Sequence, residues 1–527
     1  MQLIMYDLLI KNGLVFAGRG GEGEILDLAV SGEKIVEIGK IVPGPAGKVI
    51  DATGKVVSPG FIDMHGHSDF KLLLDRRAES KVRQGVTTEV GGNCGLSGAP
   101  LLGKMKKHLQ ESYRKYGLCV DWSTFGEYLD RLEEGLGINF VPLIGQNNVR
   151  VSLLGGTSRP AGAKEIKEMK DLIASALEEG AFGLSTGLIY PPGCFATEEE
   201  LIKLCETVGR EGGFYSTHIR GEGEHLLEAV EEAITIARRS GVKLHISHLK
   251  AAGEANWPKL KKVIRIIREA GEEGLDVTAD RYPYTASSTD LDTILPLWVQ
   301  EGGRWKELER LKDPALRRKI SREIEKFYPS LDKWHRIMLS SVAGNKQLEG
   351  KRMDEIIIQR GKDPFEVLFD LLLEEETDIG AIFFSMSDDN LKEVLTQPFS
   401  MIGSDSSLYL NHPQDGRPHP RALGTFPRFL RKFVREGKIL KLGEAISSMT
   451  SRPARRLGLK ERGEIRKGYY ADLVIFDLSL IADKATYEDP FSSPVGIDYT
   501  IVNGGIVFEQ GSCSGRLPGR VIRRGKD

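Results

Sequence analysis

Ser58-Pro59-Gly60-Phe61-Ile62-Asp63-Met64-His65-Gly66-His67-Ser68-Asp69 is the stretch on which the reading of this chain turns. Phe61 to Met64 reads as a short, mostly apolar strand, and two histidines follow at a spacing of two. In extended backbone that spacing points both imidazoles to the same face. Two neutral imidazoles leaving one strand end supply half of a divalent-metal site. An HxH pair also arises by chance on surfaces, so its meaning depends on what stands at comparable places elsewhere in the chain.

Outward from this stretch the chain alternates strand and helix. Strands are expected at 61–67, 87–94, 138–145, 181–187, 213–219, 243–249, 275–284 and 399–405, with helices at Ala163–Glu179, His225–Ser240 and Trp257–Gly271 among the segments between them. Eight such units predict an α/β fold, a (β/α)8 TIM-type barrel over residues 58–454. A ninth apolar run, Ala381 to Met386, is assigned as an extra strand outside the ring. The segment of about 297–337 is rich in Arg, Lys and Glu and reads as a solvated helical insertion, a surface elaboration. Residues 1–57 alternate apolar and polar, with turn signals at Asn12-Gly13, Ser31-Gly32 and Thr53-Gly54, which predicts short antiparallel strands. Ala471 to Phe476 is strand-like as well, and Ile501 to Phe508 echoes Ile10 to Phe16. Neither end is long enough to close a core alone. Residues 1–57 and 455–527 are therefore expected to form one small composite β domain, a sandwich or barrel.

Composition narrows the class. The chain has 527 residues and is 40% hydrophobic, enough for a sizeable core. Lys plus Arg number 73 against 75 Asp plus Glu, which offers no basic excess for nucleic acid and no acidic tail. Five scattered cysteines, an odd number, argue against a disulfide framework and for a reducing cytoplasm. The first residues are not read as a signal peptide, and no run of about 18 uncharged apolar residues offers a membrane span. A soluble, cytoplasmic protein acting on a small molecule is expected; nothing here indicates an oligomeric state.

In a βα barrel the working face is the C-terminal rim of the strands. The polar residues there are His65, His67, Cys94, His218, His248 and Asp405. His218 and His248 close apolar strands one βα repeat apart. A lone strand histidine is more often a satisfied core residue, but six metal-competent side chains at five strand ends reverse that preference. His245, three residues before His248, faces the other way and is read as structural. Cys94 lies within Gly91 to Gly95, where glycines let the backbone approach a ligand closely. Its thiolate is a soft donor suited to Zn2+. Asp405, after an apolar strand, could simply cap the next segment; beside a metal it could carry a proton instead.

The chain resembles the amidohydrolase superfamily and, within it, the D-aminoacylase (N-acyl-D-amino-acid deacylase) family. The matching stretches include PGFIDMHGHSD, GGNCG, STGLIYPPG, YSTHIRGEGE, HISHLKAAG, YPYTASST, MIGSDSS, HPRALGTFPRFLR and SGRLPGRVIRR. The resemblance implies a distorted barrel and a β domain built from both chain ends. It implies one tightly held zinc on Cys94, His218 and His248, a second, weaker position at His65 and His67 that Cys94 bridges, and Asp405 as catalytic acid/base. It further implies that Lys250, Tyr282 or Tyr284, and Arg421 clamp a substrate carboxylate, with Tyr190 a further pocket residue. The reaction expected is hydrolysis of N-acyl-D-amino acids to a carboxylate and a free D-amino acid. Alternatives are a cyclic amidase of the hydantoinase or dihydropyrimidinase type, a dipeptidase taking a D-residue, and, remotely, a non-catalytic scaffold. Leu291, Ile294 and Leu295, with acids at Asp290 and Asp292, tilt the side-chain preference toward an apolar D-residue over D-Glu or D-Asp.

Overall fold

A computed structural model describes residues 5–42, 45–114, 116–412 and 415–526. Eight short strands, buried along almost their whole length, lie where the alternation of apolar runs predicts them. They are β1 (Phe61–Asp63), β2 (Val86–Gly91), β3 (Asn139–Pro142), β4 (Gly183–Gly187), β5 (Phe214–His218), β6 (Lys243–Ile246), β7 (Val277–Arg281) and β8 (Ser400–Ile402). Neighbours pair in parallel, as buried strands joined by helical crossovers must.

The ring is distorted into two arcs. β1, β2 and β3 form one; β4 to β8, with the two-residue strand Ile144–Gly145, form the other. Hydrogen bonds across the seams join them: Phe182 N to the Pro142 carbonyl at 2.9 Å, and Met64 N to the Ile402 carbonyl at 3.2 Å. The C-terminal segment lines the base of the ring, where Ile522 N donates to the Phe140 carbonyl at 2.8 Å and Phe140 N donates to that of Arg520 at 2.9 Å.

The outer helices follow from local signals. The helix Glu198–Arg210 starts at Thr197, whose side chain accepts from Glu200 N, carries three acids in its first turn and ends on Arg210. Those charges complement the helix dipole. Its buried face presents Leu201, Leu204, Cys205 and Val208 to the main core. The helices Ala163–Glu179, Leu226–Ser240 and Lys259–Glu272 fall within two residues of the expected spans.

Both chain ends contribute to one nine-stranded sheet. Its join is the antiparallel pairing of Val56–Pro59 with Leu473–Phe476, and its apolar side packs Leu8, Ile10, Val30, Ile475 and Ile501 together. Because Val56–Pro59 leads directly into β1, this sheet anchors the start of the barrel. Between β7 and β8 the chain builds a further layer. A three-stranded sheet of Ser287–Asp290, Ile379–Phe383 and Ile337–Val342 carries the extra strand expected near 381. The charged stretch supplies the helices Leu297–Gln300, Arg304–Lys312, Pro314–Ile324 and Leu331–His335, which share a separate core around Leu311, Trp334 and Phe369.

Candidate active site

Five of the six rim residues singled out from the sequence, His67, Cys94, His218, His248 and Asp405, line one cavity of about 1030 Å3, and the sixth, His65, is fully buried against Cys94. His65, His67, Cys94 and Asp405 offer ligand atoms within 4.8 Å of one another, and so do Cys94, His218 and His248. Cys94 belongs to both groups. Its Sγ lies 3.3 Å from His65 Nε2, 3.5 Å from His248 Nε2 and 3.7 Å from His218 Nδ1. Donors held 2.0–2.3 Å from an ion at tetrahedral corners stand about 3.3–3.8 Å apart, so the spacing fits a four-coordinate metal. One thiolate with imidazoles is the donor chemistry that zinc accepts.

Local backbone sets this convergence. Cys94, His248 and Asp405 all have positive φ, at 52°, 36° and 49°. Such conformations cost about 1–3 kcal/mol each and persist where the surroundings over-determine them. They turn three side chains off the strand direction and into the ring. Two glycines are sterically required beside them. A Cβ at Gly66, between the two histidines, would overlap the Glu89 carboxylate, and one at Gly92 would overlap the Leu143 carbonyl.

Electrostatics then sets the protonation states. Burial pushes the Cys94 thiol up, but the positive field of His65 and hydrogen bonds from His218, His248 and His65 outweigh it and hold the thiol well below its ordinary value. Burial likewise opposes ionisation of Asp405, and is outweighed by Arg421, His248, His67 and His65, which keep it well below the usual carboxylate range. Arg421 Nη1 stands 2.8 Å from Asp405 Oδ2, and His67 Nε2 stands 3.1 Å from Oδ1.

The remaining sequence candidates divide. Lys250, Arg421 and Tyr190 line the cavity; Tyr282 and Tyr284 do not. The Tyr284 hydroxyl donates to the Pro420 carbonyl at 3.3 Å, and Tyr282 is buried beneath the Arg421 guanidinium, 4.5 Å from its ring centroid. Tyr190 stands edge-on to His218 and shares a hydrogen bond with Thr289 Oγ1 at 3.1 Å. Lys250 is not a free rim cation. Its Nζ lies 2.8 Å from His248 Nδ1 and forms a short ion pair with Glu222.

Sequence reading missed two carboxylates that orient these groups. Glu222 Oε1 contacts Lys250 and lies 3.1 Å from His248 Nδ1 and 3.6 Å from His218 Nε2. Asp280 Oδ2 accepts from His65 Nδ1 at 3.0 Å and His245 Nε2 at 2.9 Å, while its Oδ1 accepts from His248 N at 3.0 Å. Partners of this kind fix ring orientation and tautomer in metal sites. The only sequence signal for Asp280 is an aspartate in an apolar strand; Glu222 sits in a polar loop and gives none.

A second buried network braces the loop of the two histidines. Lys81 Nζ, on the chain just before β2, reaches Asp63 Oδ2 at 2.7 Å and Glu89 Oε2 at 3.2 Å. All three side chains are at most 1% exposed. Burial works against the ammonium charge, and the two carboxylates outweigh it. Glu89 also accepts from Ser68 N at 3.0 Å, one residue past His67.

A ring of eight parallel strands with clustered His, Cys and Asp donors at its C-terminal rim defines a metal-dependent barrel enzyme. The chain belongs to the amidohydrolase family, whose model matches residues 48–508. It is 35% identical over 520 residues to the D-aminoacylase of Alcaligenes xylosoxydans xylosoxydans, covering 98% of each chain. The fold is similar to that of a D-aminoacylase described with a binuclear metal center, one-metal activation and second-metal attenuation, at a TM-score of 0.85 and 35% identity over 98% of this chain and 100% of that one. It is equally similar to the N-acyl-D-glutamate deacylase of Bordetella bronchiseptica complexed with zinc and a phosphonate mimic of the tetrahedral intermediate. That match has a TM-score of 0.85 and 33% identity over 99% of this chain and 100% of that one. No helix among the described residues is long and apolar enough to cross a membrane.

Lys81→Met would leave Asp63 and Glu89 buried together without a counter-charge. Removing one partner of a buried ion pair costs about 3–5 kcal/mol. Denaturant unfolding should report a loss of that size; a loss under about 1 kcal/mol would show that the network does not brace this loop.

Proposed function

We propose that this chain hydrolyses the amide bond of N-acyl-D-amino acids, releasing a carboxylate and a free D-amino acid. In this reading one zinc is held by Cys94, His218 and His248, with a weaker second position bounded by His65, His67 and Cys94. The observation that carries it is the convergence of those donors with Asp405 in a cavity also lined by the cations Lys250 and Arg421. The D-aminoacylase and N-acyl-D-glutamate deacylase relatives supply the substrate class.

When bound, the metal supplies a Lewis acid for the amide oxygen and lowers the pKa of a water from about 15.7 toward about 7. Asp405, kept ionised by Arg421, accepts the proton of the attacking water. The same carboxyl then delivers that proton to the departing nitrogen, which leaves as an amine. Lys250 and Arg421 attract the α-carboxylate and orient the amide, and Tyr190 closes the wall above His218. Glu222 and Asp280 hold the imidazoles in register, so the donors need no rearrangement before the reaction.

A panel of acetyl-D- and acetyl-L-amino acids, with zinc measured on the same preparation, tests the reading. Turnover confined to the D-series with bound zinc is expected; equal turnover of both series, or none, would sink it. Cys94→Ala removes the shared donor, so zinc content and activity should fall together. Full zinc with full turnover would make Cys94 a packing residue. Asp405→Asn keeps shape but cannot take a proton; zinc should stay and kcat should drop by roughly 10²–10⁴. A near-normal kcat would remove Asp405 from the proton path.

Lys250→Met calls for two readouts, because Lys250 touches His248 as well as the cavity. If it clamps the carboxylate, the variant should lose most of the preference for acetyl-D-leucine over its α-amide, on the order of 30-fold or more. An equal fall for acid and amide, with zinc lost, would assign Lys250 to support of His248 alone.

A further inference from the structure

The segment after β7 does not place the apolar residues on which the expected side-chain preference leaned in the cavity wall. Leu291 and Leu295 are buried in the separate core of the added layer, and Ile294 packs against it; none of the three lines the cavity. The lining there is polar: Asp290, Asp292, Thr293 and Gln300, with Arg304 and Glu307 from the helix Arg304–Lys312. The acids, not the leucines, face the site.

Glu307 marks this as more than a solvated cluster. It is 3% exposed, it lines the cavity, and its Oε1 has no hydrogen-bond partner. A buried carboxylate oxygen left without a donor bears an uncompensated desolvation penalty. Among the described residues none of the three carboxylates forms an ion pair. The cations of the cavity are engaged elsewhere: Lys71 with Asp415, Lys250 with Glu222, Arg304 with Glu376 and Arg421 with Asp405. Arg417 Nη2 donates to the Glu488 carbonyl. Asp290 stands exposed at the cavity wall, while burial and the neighbouring acids hold the Asp292 carboxyl up to about 7 and that of Glu307 to about 8, although Arg304 and Arg310 partly offset the last. A cation brought among them would relieve that repulsion.

The strand Ser287–Asp290 connects this end of the cavity to the reacting end. The Ser288 carbonyl accepts from Arg421 Nη2 at 3.2 Å, and Thr289 Oγ1 meets the Tyr190 hydroxyl at 3.1 Å. Asp290 follows, two residues of extended backbone from Ser288, or about 7 Å. That distance is close to the span of the four-carbon stem of a lysine.

We propose that Asp290, Asp292 and Glu307 form an acidic subsite of the catalytic cavity that takes a cationic group of the substrate. The cation is either the side chain of a D-lysine or D-arginine residue or a positively charged end of the acyl group. The proposal rests on the acyl-D-amino-acid reading above and narrows its substrate class.

The test uses matched pairs on the zinc-loaded enzyme. Nα-Acetyl-D-lysine is compared with Nα-acetyl-D-norleucine, and N-(6-aminohexanoyl)-D-leucine with N-heptanoyl-D-leucine, so that each pair differs mainly in charge. We expect kcat/KM to favour the cationic member of one pair by at least about tenfold, with acetyl-D-glutamate the poorest substrate. The pair that responds identifies which end of the substrate bears the cation. Glu307→Gln and Asp292→Asn should each collapse that ratio toward one. A ratio within one preparation does not depend on the fraction folded. Brisk turnover of norleucine and leucine substrates with no charge preference in either pair would overturn the subsite and leave the proposed function standing. A preference that survives both substitutions would also overturn it, since the cation would then bind elsewhere. Absence of turnover for every acyl-D-amino acid would overturn the function itself, and the subsite with it.

Discussion

The buried carboxylate of Asp280 ties the rim together. It is fully buried, yet three hydrogen bonds converge on it, from His65, His245 and the backbone of His248, and His65 and His245 hold it far below the usual carboxylate range. It stands on β7, His245 and His248 come from β6 and its exit, and His65 follows β1 across the seam beside β8. One side chain therefore sets the register of three strand ends. By accepting from Nδ1 of His65 it leaves Nε2 of that ring facing Cys94. A neutral partner could not do this as well, because acceptance from two imidazoles and an amide depends on the negative charge.

Around that anchor the rim is built at local cost. Three of its residues hold positive φ, and Lys81, Asp63 and Glu89 are buried as charges. Neither feature would survive in a loosely packed surface loop. They persist because the barrel and its helices share one extensive apolar core, and the nine-stranded sheet pins the chain immediately ahead of β1. The stability lies in the scaffold, and the strain lies where donors must be aimed.

In the proposed reading, chemistry and selectivity come from different parts of the chain. The donors and Asp405 follow barrel strands, whose positions the ring constrains. The far wall of the cavity comes from the layer between β7 and β8, which has its own sheet and core. Such a layer can change its facing residues without disturbing the ring. In this chain the facing residues include Asp290, Asp292 and Glu307.

Much of this was legible in the sequence because it is periodic or strictly local. Parallel strands buried on both faces read as apolar runs, so seven of the eight barrel strands fell within the expected spans and β2 began one residue early, at Val86. The HxH spacing and the glycines around Cys94 are local constraints, and they pointed to residues that the fold brings within bonding reach. What only the tertiary structure decided is contact between distant segments. Glu222 and Asp280 became visible as partners of the histidines only once β5, β6 and β7 stood side by side. The tyrosines at 282 and 284 looked equally suited to the pocket, and packing against Arg421 and Pro420 turned both away from it. The stretch from Asp290 to Leu295 mixes acids and leucines, and one dimension cannot say which set faces the substrate. The apolar members were drawn into the second core by the area they could bury there, and that left the carboxylates to line the cavity.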